Sequence, residues 1–421
     1  MRRVRSKAVF LPVSAMVVLG LSCQGGAAVV QGMGFDAERS GFVSLPPGLG
    51  AAGNTGVGGG DDFAGEILRK LTVGLSSSLF YNSNVAAGLG NTANAANPVG
   101  GDVVSMLSSN VGWSLVTSSW SVALNANGTY GKNFNESAFD QQSYGVGGTA
   151  AYRGGRFNAS LNLNHTVNEG PNFLFGGVLR NLGYSIGLSG SYVLSPKTDL
   201  VSSLAFSWNQ PDGDFGSIAN RLVNVSAMWR YSSLLRCGPG LSFGNASGDL
   251  QPTRTTVGPT LSADYKLSSK VSLNGRVGLD FVNFGGVRSD PAFSTMINGA
   301  YQFNTRRGMS LSLSRGVLAD GFLVDSFNEM TALNVSLNQK VGRSLTAAVG
   351  FGYQQSDFLT SSDAGPRPGL DMYTGNVSLA LPLLGNQASA MVFIRYMDMV
   401  SADVLQNWDS LQTGVSINFN F

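Results

Sequence analysis

The sequence predicts an all-β fold: a transmembrane antiparallel up-and-down β-barrel of about eighteen strands, with a signal peptide and a short flexible N-terminal lead-in. Two observations predict this class. Charged residues make up only 12% of the chain while hydrophobic residues make up an ordinary 43%, and 56 glycines replace much of the charge. From Leu71 to the terminal Phe421, apolar and polar residues alternate with a period of two, which is the pattern of strands with one face in an apolar medium.

The first 28 residues have the order of a signal peptide. Arg2, Arg3, Arg5 and Lys7 precede an apolar run over 8–21, and small residues at 26–28 predict cleavage before Val29. A lipoprotein processing site at Leu-Ser-Cys, ending in Cys23, is the alternative. The apolar run is shorter than a membrane-spanning helix requires. The sequence therefore predicts an exported protein.

Residues 29–67 form a Gly- and Pro-rich segment that predicts a flexible periplasmic lead-in. The barrel is predicted over 68–421. After the first 21 residues, no apolar run is long enough for a transmembrane helix. The formal charge of +2 becomes slightly negative once the basic signal is removed, so the exported chain lacks the basic surface of a nucleic-acid-binding protein.

The period-two pattern recurs along the whole predicted barrel. Clear examples are LTVGLSSSLFY, SWSVALNANGTYG, RFNASLNLNHTV, TDLVSSLAFSW, LVNVSAMWRY, VSLNGRVGLDF and RSLTAAVGFGY. In several of them aromatic residues mark a strand end and aliphatic residues fill the middle. A lipid-facing band between two aromatic girdles produces that order.

Short turns alternate with longer polar loops between these strands. Turns are predicted near 117–119, 153–156, 195–198, 232–236, 267–270, 304–308, 339–343 and 384–387. Longer loops are predicted near 84–102, 131–141, 168–180, 209–219, 245–255, 284–291, 318–328, 355–369 and 398–407. Because the short turns of outer-membrane barrels lie in the periplasm, both chain ends are expected there, with the last strand closing the barrel against the first near Leu71.

The terminal segment GVSINFNF resembles the closing strand of the Gram-negative outer-membrane β-barrel (porin-like) superfamily. That resemblance implies an outer-membrane location. It also implies that Val415, Ile417, Phe419 and Phe421 are read by the barrel-assembly machinery. The first strand resembles, more weakly, the start of porins found near exopolysaccharide export genes, which often have Tyr-x-Asp-Asn where this chain has the Tyr-Asn-Ser-Asn of 81–84.

With apolar residues taken as lipid-facing, the opposite face is mostly Ser, Asn, Gly and Thr, with a few charges. The charges predicted to line the lumen are Arg230, Asp264, Lys266, Arg276, Asp280 and Arg395. Asp264 and Arg276 are expected to lie diagonally across one hairpin. The charges either line a selective constriction or only polarise a wet interior, and the second interpretation is favoured.

An enzyme is not expected. His165 is the one histidine in the chain, and its parity with Leu161 and Leu163 predicts an outward position near the external rim rather than a catalytic one. Once Cys23 is removed, Cys237 is the one cysteine left, so a histidine and a thiol alone predict neither a metal site nor a cofactor.

The charges of the connections are distributed unevenly. The long loops are rich in Asp and Glu and the short turns in Lys and Arg, which predicts either cation bridging to lipopolysaccharide or simple solubility of exposed loops. Besides membrane lipid, the expected partners are small hydrophilic solutes or polysaccharide, and no nucleic acid. Three functions remain open: a diffusion channel, favoured for small neutral solutes; the outer-membrane part of an exopolysaccharide secretion system; and a structural or adhesive barrel with a plugged lumen.

Overall fold

The computed structural model describes residues 71–85, 100–172, 177–213, 216–249, 251–268, 270–284, 287–288, 291–319, 326–342, 344–360, 369–383, 387–401 and 407–421. The predicted signal peptide (1–28) and lead-in (29–67) lie outside these residues. The described chain is a single antiparallel sheet.

The sheet has eighteen long strands of 12 to 19 residues and one of 2 residues. In chain order they are β1 Leu71–Asn82, β2 Asp102–Val116, β3 Trp120–Asn133, β4 Gln141–Arg153, β5 Phe157–Asn172, β6 Gly177–Ser195, β7 Thr198–Pro211, β8 Ile218–Arg230, β9 Leu235–Gly248, β10 Gln251–Ser268, β11 Val271–Phe284, β12 Val287–Arg288, β13 Ala292–Asn304, β14 Arg307–Ala319, β15 Ser326–Val341, β16 Leu345–Thr360, β17 Leu370–Leu383, β18 Ala388–Ser401 and β19 Trp408–Asn420. The short β12 pairs only with the end of β11, so the predicted eighteen barrel strands are confirmed.

The barrel is closed by pairing between its first and last strands. Leu75 lies opposite Phe419 and Leu79 opposite Val415 in the antiparallel β1–β19 ladder. The Phe421 N–H donates to the Val73 carbonyl at 2.6 Å, and the Val73 N–H donates to the Phe421 carbonyl at 3.0 Å. Closure removes both sheet edges, which would otherwise expose unpaired backbone groups.

The two faces of the wall differ as the alternation predicted. In β19, Leu411, Val415, Ile417 and Phe419 are exposed on the outside, while Ser416, of the opposite parity, is buried on the inside. Large apolar side chains are exposed in the same way on the other strands. An outer surface of this kind is stable only in an apolar medium.

The predicted short turns agree with the structure, but one predicted long loop does not: β9 ends at Gly248 and β10 begins at Gln251, so most of 245–255 is strand. Two- to four-residue turns join the strands at the end where β1 begins and β19 ends, and one of them holds Gly342 at a φ of +63°, a left-handed conformation that favours glycine. The longer connections lie at the opposite end, which we call the loop end. There the β3–β4 loop contains a 3-10 helix, Ser137–Phe139.

The wall is irregular on the loop side where β13 meets β14. Pairing between β13 and β14 ends at Thr295 and Arg315, although β14 continues to Ala319 in register with β15. In the described ranges, the outer end of the β14–β15 hairpin is therefore separate from β13. Because it is not paired with β13 there, this end of the hairpin can bend away from the neighbouring strands of the barrel.

Candidate functional site

The interior of the barrel is the candidate site, because most polar side chains of the strands lie on its wall. Short polar side chains bond across neighbouring strands there. Examples are Ser160 to Ser189 at 2.6 Å, Ser310 to Ser336 at 2.6 Å, and the Asn298 amide donating to Asn274 at 3.2 Å. Because these groups are small, neutral and partly exposed, the wall in the middle of the barrel presents a hydrated surface to the lumen.

Four charged residues form a network on the lumenal wall near the short-turn end. Arg230 donates to both carboxylate oxygens of Asp199 at 3.0 Å, and Arg236 donates to Asp199 at 3.2 Å. Arg236 also donates to Asp264 at 2.9 and 2.5 Å. The network spans β7, β8, β9 and β10, and a buried carboxylate, Asp199, joins two guanidinium groups. Charge-assisted, partly bidentate bonds of this kind fix side chains in place.

Asp264 and Arg276 lie diagonally across the β10–β11 hairpin, as predicted, because Asp264 is opposite Asn274 in that ladder. The carboxylate of Asp264 is bound from the other side, by Arg236. Asp264 lies directly opposite Arg236 of β9, whereas Arg276 lies opposite Ser262 and donates to the Asn224 amide oxygen. Sequence reasoning placed Arg236 in a turn and overlooked Asp199. The sequence does contain a pattern that indicates a lumenal position for Arg236. The alternation of β9 extends as far as Arg236, which shares the parity of the inward-facing Ser242.

The other predicted lumenal charges lie on inward-facing positions of their strands. Lys266 is exposed near the short-turn end of β10, and Asp280 is buried on β11. Arg395 lies opposite Asn376 and Gln412, and its Nε is shielded from solvent with no hydrogen-bond acceptor among the described residues. Among the described residues, no carboxylate lies within ion-pair distance of Lys266 or Arg395.

On β17, β18 and β19, the lumenal wall toward the loop end carries large buried apolar residues, which the prediction of a mainly Ser, Asn, Gly and Thr interior did not anticipate. Met397, Met399 and Trp408 are only 1%, 2% and 7% exposed, and Met372 lies directly opposite Met399. The sequence of β18, ASAMVFIRYMDMVS, carries large apolar residues on both parities. Large apolar residues on both parities indicate that neither face of β18 contacts water at the loop end.

The β3–β4 loop packs on this end of the lumenal wall. Phe139 of its 3-10 helix is buried in a cluster with Phe80, Val85 and Val104, and Phe393 packs against the cluster. Asp102, 1% exposed at the start of β2, accepts hydrogen bonds from the backbone N–H groups of 135 and 136 at 2.8 and 2.9 Å. It also accepts one from the Asn135 amide at 2.8 Å. The carboxylate thus holds the loop to the wall.

The outer end of the β14–β15 hairpin also meets the wall. Val317 of β14 is buried against Val282 of β11 and Ala292 of β13. The Arg254 guanidinium of β10 donates to the Val317 carbonyl at 2.8 Å, although β11 and β13 lie between β10 and β14 in the sheet. Val282 and Arg254 share the lumenal parity, so the hairpin end lies on the lumenal side of β10–β13.

The outer surface carries aromatic residues near both strand ends. Trp120 and Tyr152 lie at the short-turn end with ring centroids 4.8 Å apart, and Tyr353 and Tyr373 lie toward the loop end at 5.2 Å. His165 faces outward, as its parity predicted, and stacks on Tyr184 at 4.4 Å. Two aromatic rows enclosing an aliphatic band define the surface of a transmembrane β-barrel.

Two neighbouring connections at the rim are joined by a polar contact. Ser217 donates to the Asp249 carboxylate through its hydroxyl at 2.7 Å and its backbone N–H at 3.1 Å. These two hydrogen bonds, the hydroxyl's first, lower the pKa of the Asp249 carboxyl. The contact connects the segment before β8 with the end of β9.

In the described part of the chain, no helix has the length and apolar character needed to cross a membrane, a finding that does not bear on strands. No protein-family model matches the sequence, and no curated protein matches it.

Solved barrels resemble the structure remotely. The outer membrane protein opdK from Pseudomonas aeruginosa is 14% identical, with 84% of this chain and 100% of that chain covered and a TM-score of 0.43. The siderophore receptor PirA from Acinetobacter baumannii is 10% identical, with coverages of 83% and 80% and a TM-score of 0.40. The barrel's own residues carry the functional proposal that follows.

Proposed function

We propose that the protein is an outer-membrane channel of the porin-like kind, with both chain ends in the periplasm, that passes small hydrophilic, mainly neutral solutes. One observation supports it above the others. An eighteen-strand barrel is too wide for its own side chains to fill, so it encloses an aqueous space unless loops occupy it. The mid-barrel wall is lined by hydrogen-bonded Ser, Thr and Asn side chains suited to that space.

The ion preference follows from the lumenal charges. Arg230 and Arg236 are compensated by Asp199 and Asp264, which leaves Lys266 and Arg395 without a carboxylate partner among the described residues. A weak anion preference is therefore the expected outcome, because selectivity in wide pores follows the uncompensated charge of the wall.

Conductance of the purified protein in planar bilayers tests the proposal, together with swelling of proteoliposomes in sugars of increasing size. Steady conductance with modest anion preference and entry of small sugars would support a channel. A sealed bilayer and no swelling with correctly folded protein would contradict it.

A structural barrel with a closed lumen is a second candidate, because some polar side chains on the loop side of the lumenal wall are almost inaccessible to solvent. Ser356 and Ser410 face the lumen there, yet they are 0% and 1% exposed. Absence of conductance in the folded protein would favour this candidate.

A further inference from the structure

Two segments of the loop side fold against the lumenal wall, and each is held by one charged residue. The β3–β4 loop is held by Asp102, whose carboxylate accepts hydrogen bonds from Val103, Asn135 and Glu136. The outer end of the β14–β15 hairpin is held by Arg254, which donates to the Val317 carbonyl. A charged group that bonds backbone groups from a buried position anchors a segment more firmly than neutral contacts do.

The β3–β4 loop reaches over several strands on the inside of the barrel. Phe139 packs on Phe80 and Val104, which belong to β1 and β2, while the 3-10 helix also contacts β6. Because β4 and β5 lie between β3 and β6 in the sheet, the loop extends past the ends of both strands. Its packing on Phe80 and Val104, which face inward, places Phe139 on the lumenal side of the wall.

The β14–β15 hairpin lies inside the wall for a geometric reason. The parity of Val317 places it on the outer face of its own strand, yet it packs on Val282, an inward-facing residue of β11. An outer face can meet an inner face only where the two sheet parts overlap, with the hairpin on the lumenal side. The loss of β13–β14 pairing beyond Arg315 permits that overlap.

The two segments approach from opposite sides. In the closed ring of strands, the β3–β4 and β14–β15 connections are separated by nearly half the circumference. The burial of the wall agrees: Met397 and Met399 at the loop end are buried, whereas Lys266 and Arg230 at the other end are exposed. Among the described residues, the lumenal wall is therefore covered at the loop end and exposed to solvent at the short-turn end.

We propose that Asp102 and Arg254 are positioning residues for a constriction at the loop-side mouth, and that this constriction, rather than the mid-barrel wall, sets the size limit for solutes. The inference rests on the proposed channel function and deepens it. The size limit is held by fixed segments on two sides, so weakening either anchor widens the passage.

Two variants with matched controls test this in the full-length folded protein. Asp102→Ala is compared with Asp249→Ala, a rim carboxylate that also binds a loop backbone N–H. Arg254→Met is compared with Arg221→Met, an arginine of the outer surface on β8. Heat-modifiable mobility in gels verifies folding of each variant.

The first measurement is single-channel conductance with exclusion of neutral polymers of graded size. Since conductance follows the narrowest cross-section, each anchor variant should increase it by about twofold and admit larger polymers, while the controls match the parent protein. Unchanged conductance and polymer cut-off in both anchor variants would overturn the proposal.

The second measurement does not require conduction. In a Cys237→Ser background, Val104→Cys and Val282→Cys place thiols at positions only 2% and 1% exposed. A membrane-impermeant thiol reagent should label them slowly when Asp102 and Arg254 are intact, and at least ~10-fold faster in the corresponding anchor variant, since labelling follows exposure.

Equal labelling rates with and without the anchors would refute the constriction. If the anchor variants are labelled faster but the protein never conducts, the anchoring role of Asp102 and Arg254 stands and the proposed channel function is refuted. Failure of the constriction and failure of the channel function therefore give different results. If an anchor alanine variant does not fold, Asp102→Asn and Arg254→Lys replace it, because each keeps the size of the side chain while weakening its bonds.

Discussion

Arg236 lies directly opposite Asp264 on the lumenal wall, and its guanidinium donates to that carboxylate at 2.9 and 2.5 Å while also reaching Asp199 at 3.2 Å. This residue therefore couples β7 to β10 through side chains.

Replacing Arg236 should weaken the barrel. Arg236→Gln leaves Asp264 without a cation and Asp199 with one guanidinium instead of two, so we expect a loss of about 1–3 kcal/mol in the free energy of unfolding. Urea unfolding in lipid vesicles, followed by tryptophan fluorescence, measures it. Arg221→Gln on the outer surface is the control and should change stability little; equal losses would show that the network has no specific role.

Deleting Phe421 should impair assembly. Its backbone makes two hydrogen bonds with Val73 across the closing seam, and its ring lies 6.4 Å from that of Phe419. We expect much less folded protein in the outer-membrane fraction at unchanged transcript level, whereas Phe421→Trp, which keeps an aromatic ring at the interface, should assemble well. Normal amounts of folded barrel after the deletion would contradict an assembly role.

Gly414 should tolerate no side chain. A Cβ at this position would lie 2.3 Å from the Cβ of Phe80 and 2.5 Å from the Leu79 carbonyl oxygen. Gly414→Ala should therefore cost about 1–3 kcal/mol of stability through forced displacement of β1. Gly375→Ala is the matched control, because nothing lies within 4 Å of the corresponding Cβ. The prediction is checked by measuring the unfolding midpoints of the two variants in the same lipid.

Arg395 should influence ion preference. It faces the lumen with no carboxylate partner among the described residues, so Arg395→Glu reverses an uncompensated charge. The reversal potential in a salt gradient should shift toward cations, while Arg221→Glu on the outer surface should leave it unchanged. A parent channel with strong cation selectivity would be inconsistent with the assigned lumenal charges.

The location of the protein can be tested separately. A closed barrel with an apolar outer surface should fractionate with the outer membrane and migrate differently in unheated and boiled gel samples. Recovery of the folded chain as a water-soluble protein would contradict the transmembrane assignment.

Strand number, strand direction and the positions of the short turns could be predicted from the sequence, because alternation and turn chemistry are local properties of the chain. The long loop predicted at 245–255 was wrong, since β9 and β10 extend through most of it. The parity of Leu411, Val415 and Ile417 was enough to place one face of β19 in lipid. The ion-pair partners on neighbouring strands could not be predicted. Asp264 had Arg276 as a plausible neighbour in its own hairpin, and only the register of β9 against β10 shows that Arg236 is closer.

The sequence by itself determined that a chain with period-two alternation and little charge forms a closed barrel, because unpaired backbone groups are too costly in lipid to leave a sheet edge. The tertiary structure alone decided the shape of the passage. The packing of Phe139 on Phe80 and of Val317 on Val282 joins residues far apart in sequence, and no local pattern encodes which lumenal faces those segments cover. The wall is a repeating local motif, whereas the mouth depends on long-range contacts made only once.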